Sequence, residues 1–200
     1  MVFGDWRLRY PPFVLLIGLA ACAEIHHHPA GRVAIAPGIT LMLPLPGDLG
    51  RAVESAQLVS ARYAEKTYVF EGRVSASAGR FLLVGVDSLG RRLMTITWTD
   101  DGVSHEASPW LPGELSPENI LADMVLIYWP EHAVRQALAG STATLLDAPG
   151  QRTISDGEQE IIHIEYAPSG EDGSPWTGRI RLRHLIWNYQ LDVRSREVGS

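Results

Sequence analysis

Cysteine is almost absent from this 200-residue chain: Cys22 is the only one. No intrachain disulfide can form, so cysteine pairing says nothing about compartment. Lysine is equally scarce. Lys66 stands alone and every other basic side chain is an arginine. With 17 basic against 23 acidic residues the net charge is −6, and an acidic domain without a basic block argues against a nucleic-acid partner. No apolar run reaches the ~20 residues that a membrane-crossing helix needs. A Gly-x-Ser-x-Gly elbow, zincin spacing, a CxxC pair and internal repeats are missing too. What is present is an apolar fraction of 46%, ample for a core.

The first notable segment is Phe13 to Ala21, nine apolar or small residues preceded by Arg7 and Arg9. A basic start, a short apolar stretch and small residues before a cut describe a secretory signal. Leu19-Ala20-Ala21-Cys22 resembles the lipobox of bacterial lipoproteins. In that class diacylglycerol is attached to the cysteine sulfur, the chain is cut before the cysteine, and the new amino terminus is acylated, commonly with palmitate. The expectation is therefore a signal peptide over 1–21, Cys22 as the lipidation site, and a lipid anchor in place of a transmembrane helix. In enteric-type bacteria an aspartate after the cysteine retains a lipoprotein in the inner membrane. Ala23 stands there, which by that rule implies the periplasmic face of the outer membrane.

Residues 22–50 read as a lipidated tether ending in an apolar strap, because Pro29, Pro37, Pro44 and Pro46 exclude a long helix. His26, His27 and His28 fall in this tether. Metal sites draw ligands from several elements, so three neighbouring histidines are read as solvated and no metal or cofactor is expected. Residues 51–200 form the folded domain. From Gln57 onward the dominant period is two. Phe70 and Val74 share one parity; Met94, Ile96 and Trp98 alternate with threonines; Ile162, Ile164 and Tyr166 alternate with His163 and Glu165. Arg179, Arg181 and Arg183 alternate with Ile180 and Leu182. This pattern marks eight to ten antiparallel strands with one wet and one buried face.

One segment departs from that period. Ser116-Pro117-Glu118 is a helix start, and residues 119–129 follow as a helix apolar on every side except at Asn119 and Asp123. Pro130 ends it, and Glu131 to Ala139 reads as a second, shorter helix. The simplest assembly is a curled antiparallel sheet with the apolar helix against its concave face. The space between them is either solid core or a cavity for acyl chains. If a cavity, its lining is Phe70, Leu83, Ile96, Leu121, Met124, Val125 and Tyr128. His105-Glu106, His163-x-Glu165 and His184 are the candidate acid/base groups, with Ser155, Ser169 and Ser174 in loops. His163 and Glu165 lie on the wet face, and the parity of His184 with Ile180 and Leu182 places it in the core with a backbone partner. The chain is therefore not expected to be an enzyme.

The run Phe81 to Gly90, then Arg91 to Trp98 and Asp100-Asp101-Gly102, resembles the outer-membrane lipoprotein receptor LolB and its relatives. The segments Ser116 to Pro130 and Trp176 to His184 resemble more closely a family of LolB-like lipoproteins whose genes often lie beside those for fatty-acid or aryl-polyene synthesis. The resemblance covers roughly residues 57–194. It implies an α+β, mainly antiparallel fold: an incomplete, half-open, eleven-stranded barrel with helices over its open mouth. It further implies a cavity that binds an acyl chain, a lipid or a lipoprotein, and hand-over of that cargo to the membrane, with a periplasmic carrier protein as a candidate deliverer. In LolB a turn between early strands carries an exposed leucine that promotes release into the bilayer. The matching turn is Asp87-Ser88-Leu89-Gly90, and Leu89 falls on that leucine. The alternative is a structural or assembly lipoprotein that binds a protein partner and no ligand.

Overall fold

The computed structural model describes residues 26–28, 31–109, 111, 115–170 and 173–198. Cys22 and the signal segment lie outside these. The strands are β1 (His26–His28), β2 (Arg32–Ala36), β3 (Ile39–Met42), β4 (Val53–Tyr63), β5 (Lys66–Ser77), β6 (Arg80–Val86), β7 (Arg92–Thr99) and β8 (Gly102–Ala107). After helices α1 (Pro117–Tyr128) and α2 (Glu131–Leu138) come β9 (Ala143–Ala148), β10 (Gln151–Asp156), β11 (Gln159–Pro168), β12 (Gly178–His184) and β13 (Tyr189–Glu197). A 3-10 turn covers Pro46–Leu49.

Eleven strands form one antiparallel sheet in the order β1-β8-β7-β6-β5-β4-β13-β12-β11-β10-β9. The alternation read from the sequence is the alternation of burial. Phe70, Val74, Ile96, Trp98, Ile162, Ile164, Ile180 and Leu182 are buried, and Arg179, Arg181 and Arg183 point outward. The count exceeds the eight to ten expected because the two edges are short strands that lack a clear period. The sheet does not close. Among the described residues its edges β1 and β9 have no pairing with each other, so the mainly antiparallel α+β class holds and the barrel part of the expectation is met only in part, by an unclosed sheet. Helices and a hairpin cover the apolar face, and closure is not needed to bury it.

The expected tether is also corrected. β2 and β3 form a hairpin whose Val33, Ile35, Ile39 and Leu41 are buried. The hairpin contacts both helices. Pro37 and Gly38 make its turn, and Gly38 takes the positive φ that a tight turn favours. Prolines that exclude a helix do not exclude a hairpin. His26–His28 pairs with β8 at the sheet edge, where the sequence suggested solvated chain.

This hairpin explains the all-round apolarity of α1. Ser116 caps the helix by accepting from the Asn119 N–H at 3.2 Å, and Pro117 occupies the first turn. One side of α1 faces the sheet and another faces β2, so Leu121, Val125 and Leu126 are all fully buried. Each such side chain contributes roughly 1.5–3 kcal/mol of burial. Below the helix end, Phe81, Trp98 and Trp129 form an aromatic cluster with centroid separations of 5.3–6.0 Å.

Candidate functional site

Between α1 and the inner face of β4, β5, β6 and β13 lies an apolar slot of about 50 Å³. Four expected lining residues meet there: Phe70, Leu83, Met124 and Tyr128. The other three do not. Ile96, Leu121 and Val125 are completely buried and form no part of the slot's wall: Ile96 shares the inner face with its cross-strand partner Leu83 but meets solid packing, and the hairpin side of α1 needs filling as much as the sheet side. Val59, Ile120, Ile127 and Val193 complete the apolar wall. At this size the slot is comparable to one or two waters, each with a share of liquid volume of about 30 Å³. Its most accessible walls are Asn119, Ile120, Tyr63 and Leu191, all half-buried, whereas Tyr128, Ile127 and Val193 at the other end are buried. The slot therefore opens at the N-terminal end of α1.

Its polar groups are few and none is a cation. Asp123 sits one turn inside the opening, and its Oδ1 accepts a 2.8 Å hydrogen bond from the Tyr189 hydroxyl. Burial pushes the Asp123 carboxyl up to about 7, against the opposing effect of that hydrogen bond. At the closed end Gln57 donates to the Tyr128 hydroxyl at 3.0 Å, and the same hydroxyl meets Ser195 Oγ at 3.1 Å. Tyr128 also stacks on Trp176 at 3.9 Å, and burial holds its hydroxyl well above the usual phenol range.

The C-terminus of α1 is fixed from across the sheet. Its last turn carries no basic residue. Instead the buried Arg152 of β10 donates to the carbonyls of Leu126 at 2.7 Å and Trp129 at 3.0 Å. Asp147 balances the guanidinium at 2.6 Å. The Tyr166 hydroxyl donates to the Ile127 carbonyl at 2.8 Å. A cation at the negative end of the helix dipole is favourable, and three otherwise orphaned carbonyls are satisfied. Sequence reading missed this arginine, although its parity with Ile154 in β10 marks it as inward.

His184 and His163 lie on opposite faces of the sheet. His184 is buried and bonded through Nε2 to the Ile35 carbonyl at 2.8 Å, the backbone partner its parity implied, and its Nδ1 accepts from the Trp187 N–H at 3.2 Å. Desolvation lowers its pKa despite that carbonyl, consistent with a neutral ring. His163 lies on the outer face beside Glu160 at 2.7 Å and Thr153 at 3.3 Å. No group of three or more metal-ligating side chains converges among the described residues.

Leu89 is 76% exposed. The turn beneath it is tied by Asp87, whose Oδ1 accepts from the N–H groups of Leu89 and Arg91, both at 2.9 Å. Oδ2 accepts from Arg91 Nε at 2.7 Å. The Arg91 backbone and guanidinium, with the Leu89 N–H, hold the Asp87 carboxyl below the usual carboxylate range against some desolvation. Gly90 takes the positive φ of 75° that completes the turn. The leucine is thus presented on a stiff support, and does not fold back on the core.

No curated protein matches the chain. Among solved structures, a LolA superfamily protein from Nitrosomonas europaea aligns with a TM-score of 0.41 and 7% identity, over 78% of this chain and 91% of that one. Residues 54–197, from the second residue of β4 to the end of β13, match a protein family described as being of unknown function, DUF3261. That span takes in the whole slot and both helices, and the chain belongs to the DUF3261 family.

Proposed function

We propose that the chain is a lipid-anchored envelope protein of the outer membrane that binds an acyl chain, or a lipid-like or acylated ligand, between α1 and the sheet and helps pass it to the bilayer. The observation that carries this reading is the slot itself. It is an apolar cleft with one accessible end, bounded by a helix whose own faces are apolar, with no cation to hold an anionic group. Ligand sites are concave and mostly apolar, with a few placed polar groups. A ligand longer than a few methylenes needs α1 to lift from the sheet at its N-terminal end. The stiff, exposed Leu89 turn supports a membrane step, and the lipobox supports Cys22 as the anchor. His184 is committed to a backbone carbonyl in the core and His163 lies on the outer face of the sheet, away from the slot, which supports a carrier over an enzyme.

The test is direct. The chain beginning at Ala23 should bind a fluorescent acyl probe, and Met124→Trp, which fills the slot, should weaken that binding. Arg181→Ala, on the outer face, should leave it unchanged. A folded chain that binds no probe would show the space to be solid core.

A further inference from the structure

We infer that one end of the sheet is the membrane-contacting face, and that it touches the phospholipid surface through a second apolar tip, Leu185 and Trp187 in the turn between β12 and β13, in addition to Leu89. The inference rests on the proposed anchor and slot and adds to them an orientation and a contact.

The strand register carries the argument. His184 pairs with Tyr189, Tyr189 with Tyr63, and Tyr63 with Lys66. Glu71 pairs with Val86, so β6 leaves Val86 in the direction that β5 takes back to Lys66. The turns at 185–188, 64–65 and 87–91 therefore leave the same end of the sheet. Leu185 is 48% and Trp187 36% exposed. Trp187 is held in place, its ring stacked on His184 at 4.6 Å and 7° and its N–H bonded to the same ring. Tryptophan and leucine at a stiff turn tip are the side chains that settle at a bilayer interface. Arg62 and Lys66 flank these turns, as does Arg183, which is paired with Glu165 at 3.0 Å, and basic side chains near a bilayer surface favour anionic headgroups.

Two further features point to the same end. First, β1 runs antiparallel to β8, His26 facing His105 and His28 facing Val103, while Ala107 of β8 faces Met94 near the start of β7. The His26 end of β1 is therefore the end nearer the Leu89 turn. Cys22 is four residues before His26, within about 14 Å of extended chain. Second, Asp123 bonds Tyr189 at this end, and Tyr128 bonds Gln57 and Ser195 farther along the sheet. The N-terminal end of α1, where the slot opens, thus faces the same way. The fourth turn at this end, Asp156-Gly157-Glu158, carries two acids and no apolar side chain and lies toward the β9 edge, whereas Leu89, Leu185 and Trp187 all lie between β12 and β7, so contact is assigned to that half. At the opposite end the turns are Ala78-Gly79, Asp100-Asp101 and Pro149-Gly150.

The test uses the full chain, purified as the lipoprotein and placed in vesicles of phosphatidylethanolamine and phosphatidylglycerol. Leu89→Cys, Leu185→Cys, Asp101→Cys and Glu158→Cys are each labelled with an environment-sensitive fluorophore, because the lipid occupies the Cys22 sulfur. Labels at 89 and 185 should shift to the blue, brighten several-fold and be quenched by lipid-borne quenchers, while those at 101 and 158 stay aqueous. A label at 185 that stays aqueous while 89 is embedded overturns the second tip and leaves the acyl-binding reading standing, as does a label at 185 that responds only to a soluble envelope extract, which would identify a protein partner. Both labels aqueous, with acyl-probe binding intact, overturns the orientation. Labelling of the unsubstituted chain at Cys22 overturns the anchored arrangement itself. Each variant is melted to confirm folding, and Leu185→Glu should slow transfer of bound probe to the vesicles several-fold without reducing probe affinity.

Discussion

Asp123 offers the sharpest physical test of the slot. Its carboxyl is buried among apolar side chains, with the Tyr189 hydroxyl as its hydrogen-bond donor, and burial raises its pKa from 3.8 to about 7. A folded-state pKa above the unfolded one means the folded protein binds the extra proton. The associated stability is fully present below about pH 4 and is lost as pH rises toward 7. At 1.36 kcal/mol per unit, the whole shift is worth roughly 4 kcal/mol, of which about 3 falls between pH 5 and 8. Asp123→Asn keeps an acceptor for Tyr189 and removes the ionisation. The variant should therefore gain on the wild type by about 3 kcal/mol as pH goes from 5 to 8, or about 6–12 °C in relative Tm for a domain of this size. His184 works in the opposite sense. Its lowered pKa gives stability that is present above about 6.5 and lost as pH falls, but it is common to both proteins and cancels in the comparison. Paired thermal melts across pH 5–8 provide the assay. A wild-type-to-variant difference that does not change with pH would mean that Asp123 ionises freely, so that the slot is wet and the apolar-ligand reading loses its basis. An acyl ligand that excludes water should also bind more weakly above pH 7 in the wild type, and with a flatter profile in Asp123→Asn.

Arg152→Met leaves Asp147 without its cation and the Leu126 and Trp129 carbonyls without their donor; by the usual cost of breaking a buried pair, it should destabilise the fold by about 3–5 kcal/mol in denaturant titration. Leu89→Glu should preserve Tm within about 0.5 kcal/mol of stability, as expected at an exposed site, yet slow delivery of bound probe to liposomes. Cys22→Ser should leave the chain unprocessed or free in the periplasm, checked by mass spectrometry and membrane washing; tight attachment after carbonate extraction would contradict the anchor.

The period of two was the most legible feature, because each strand has one wet face and one dry face and the alternation has few exceptions. The N-cap at Ser116 and the stop at Pro130 were legible for similar reasons: each is a local signal with a local cause. The hairpin over residues 32–42 was not. Its prolines advertise what the chain cannot form, and its buried parity becomes meaningful only once α1 is known to need a cover on its far side. For the same reason Leu121 and Val125 were assigned to the slot: an all-apolar helix shows that every face is buried, but not against what. Ile96 was read into the lining from parity alone, and parity assigns a face of the sheet without saying whether a cavity or solid packing meets it. Asp123 and Arg152 needed tertiary partners, Tyr189 and the α1 carbonyls, that lie tens of residues away in sequence.

The attachment of α1 is markedly unequal along its length. Its far end is held by Arg152, Tyr166 and the stacked Tyr128, whereas toward its start the sheet holds it through the Asp123–Tyr189 bond and the longer, 3.9 Å pair of Glu118 with His105. A beam clamped at one end and lightly latched at the other bends progressively. The space beneath it widens from the latch inward, so each further methylene of a guest must prise apart the next helical turn. If the proposed acyl guest binds there, the work done on the protein would scale with guest length, and the strain so stored would be returned as the guest left by the way it entered. Under that proposal such a clamp would grade its guests by length and be spring-loaded toward emptying.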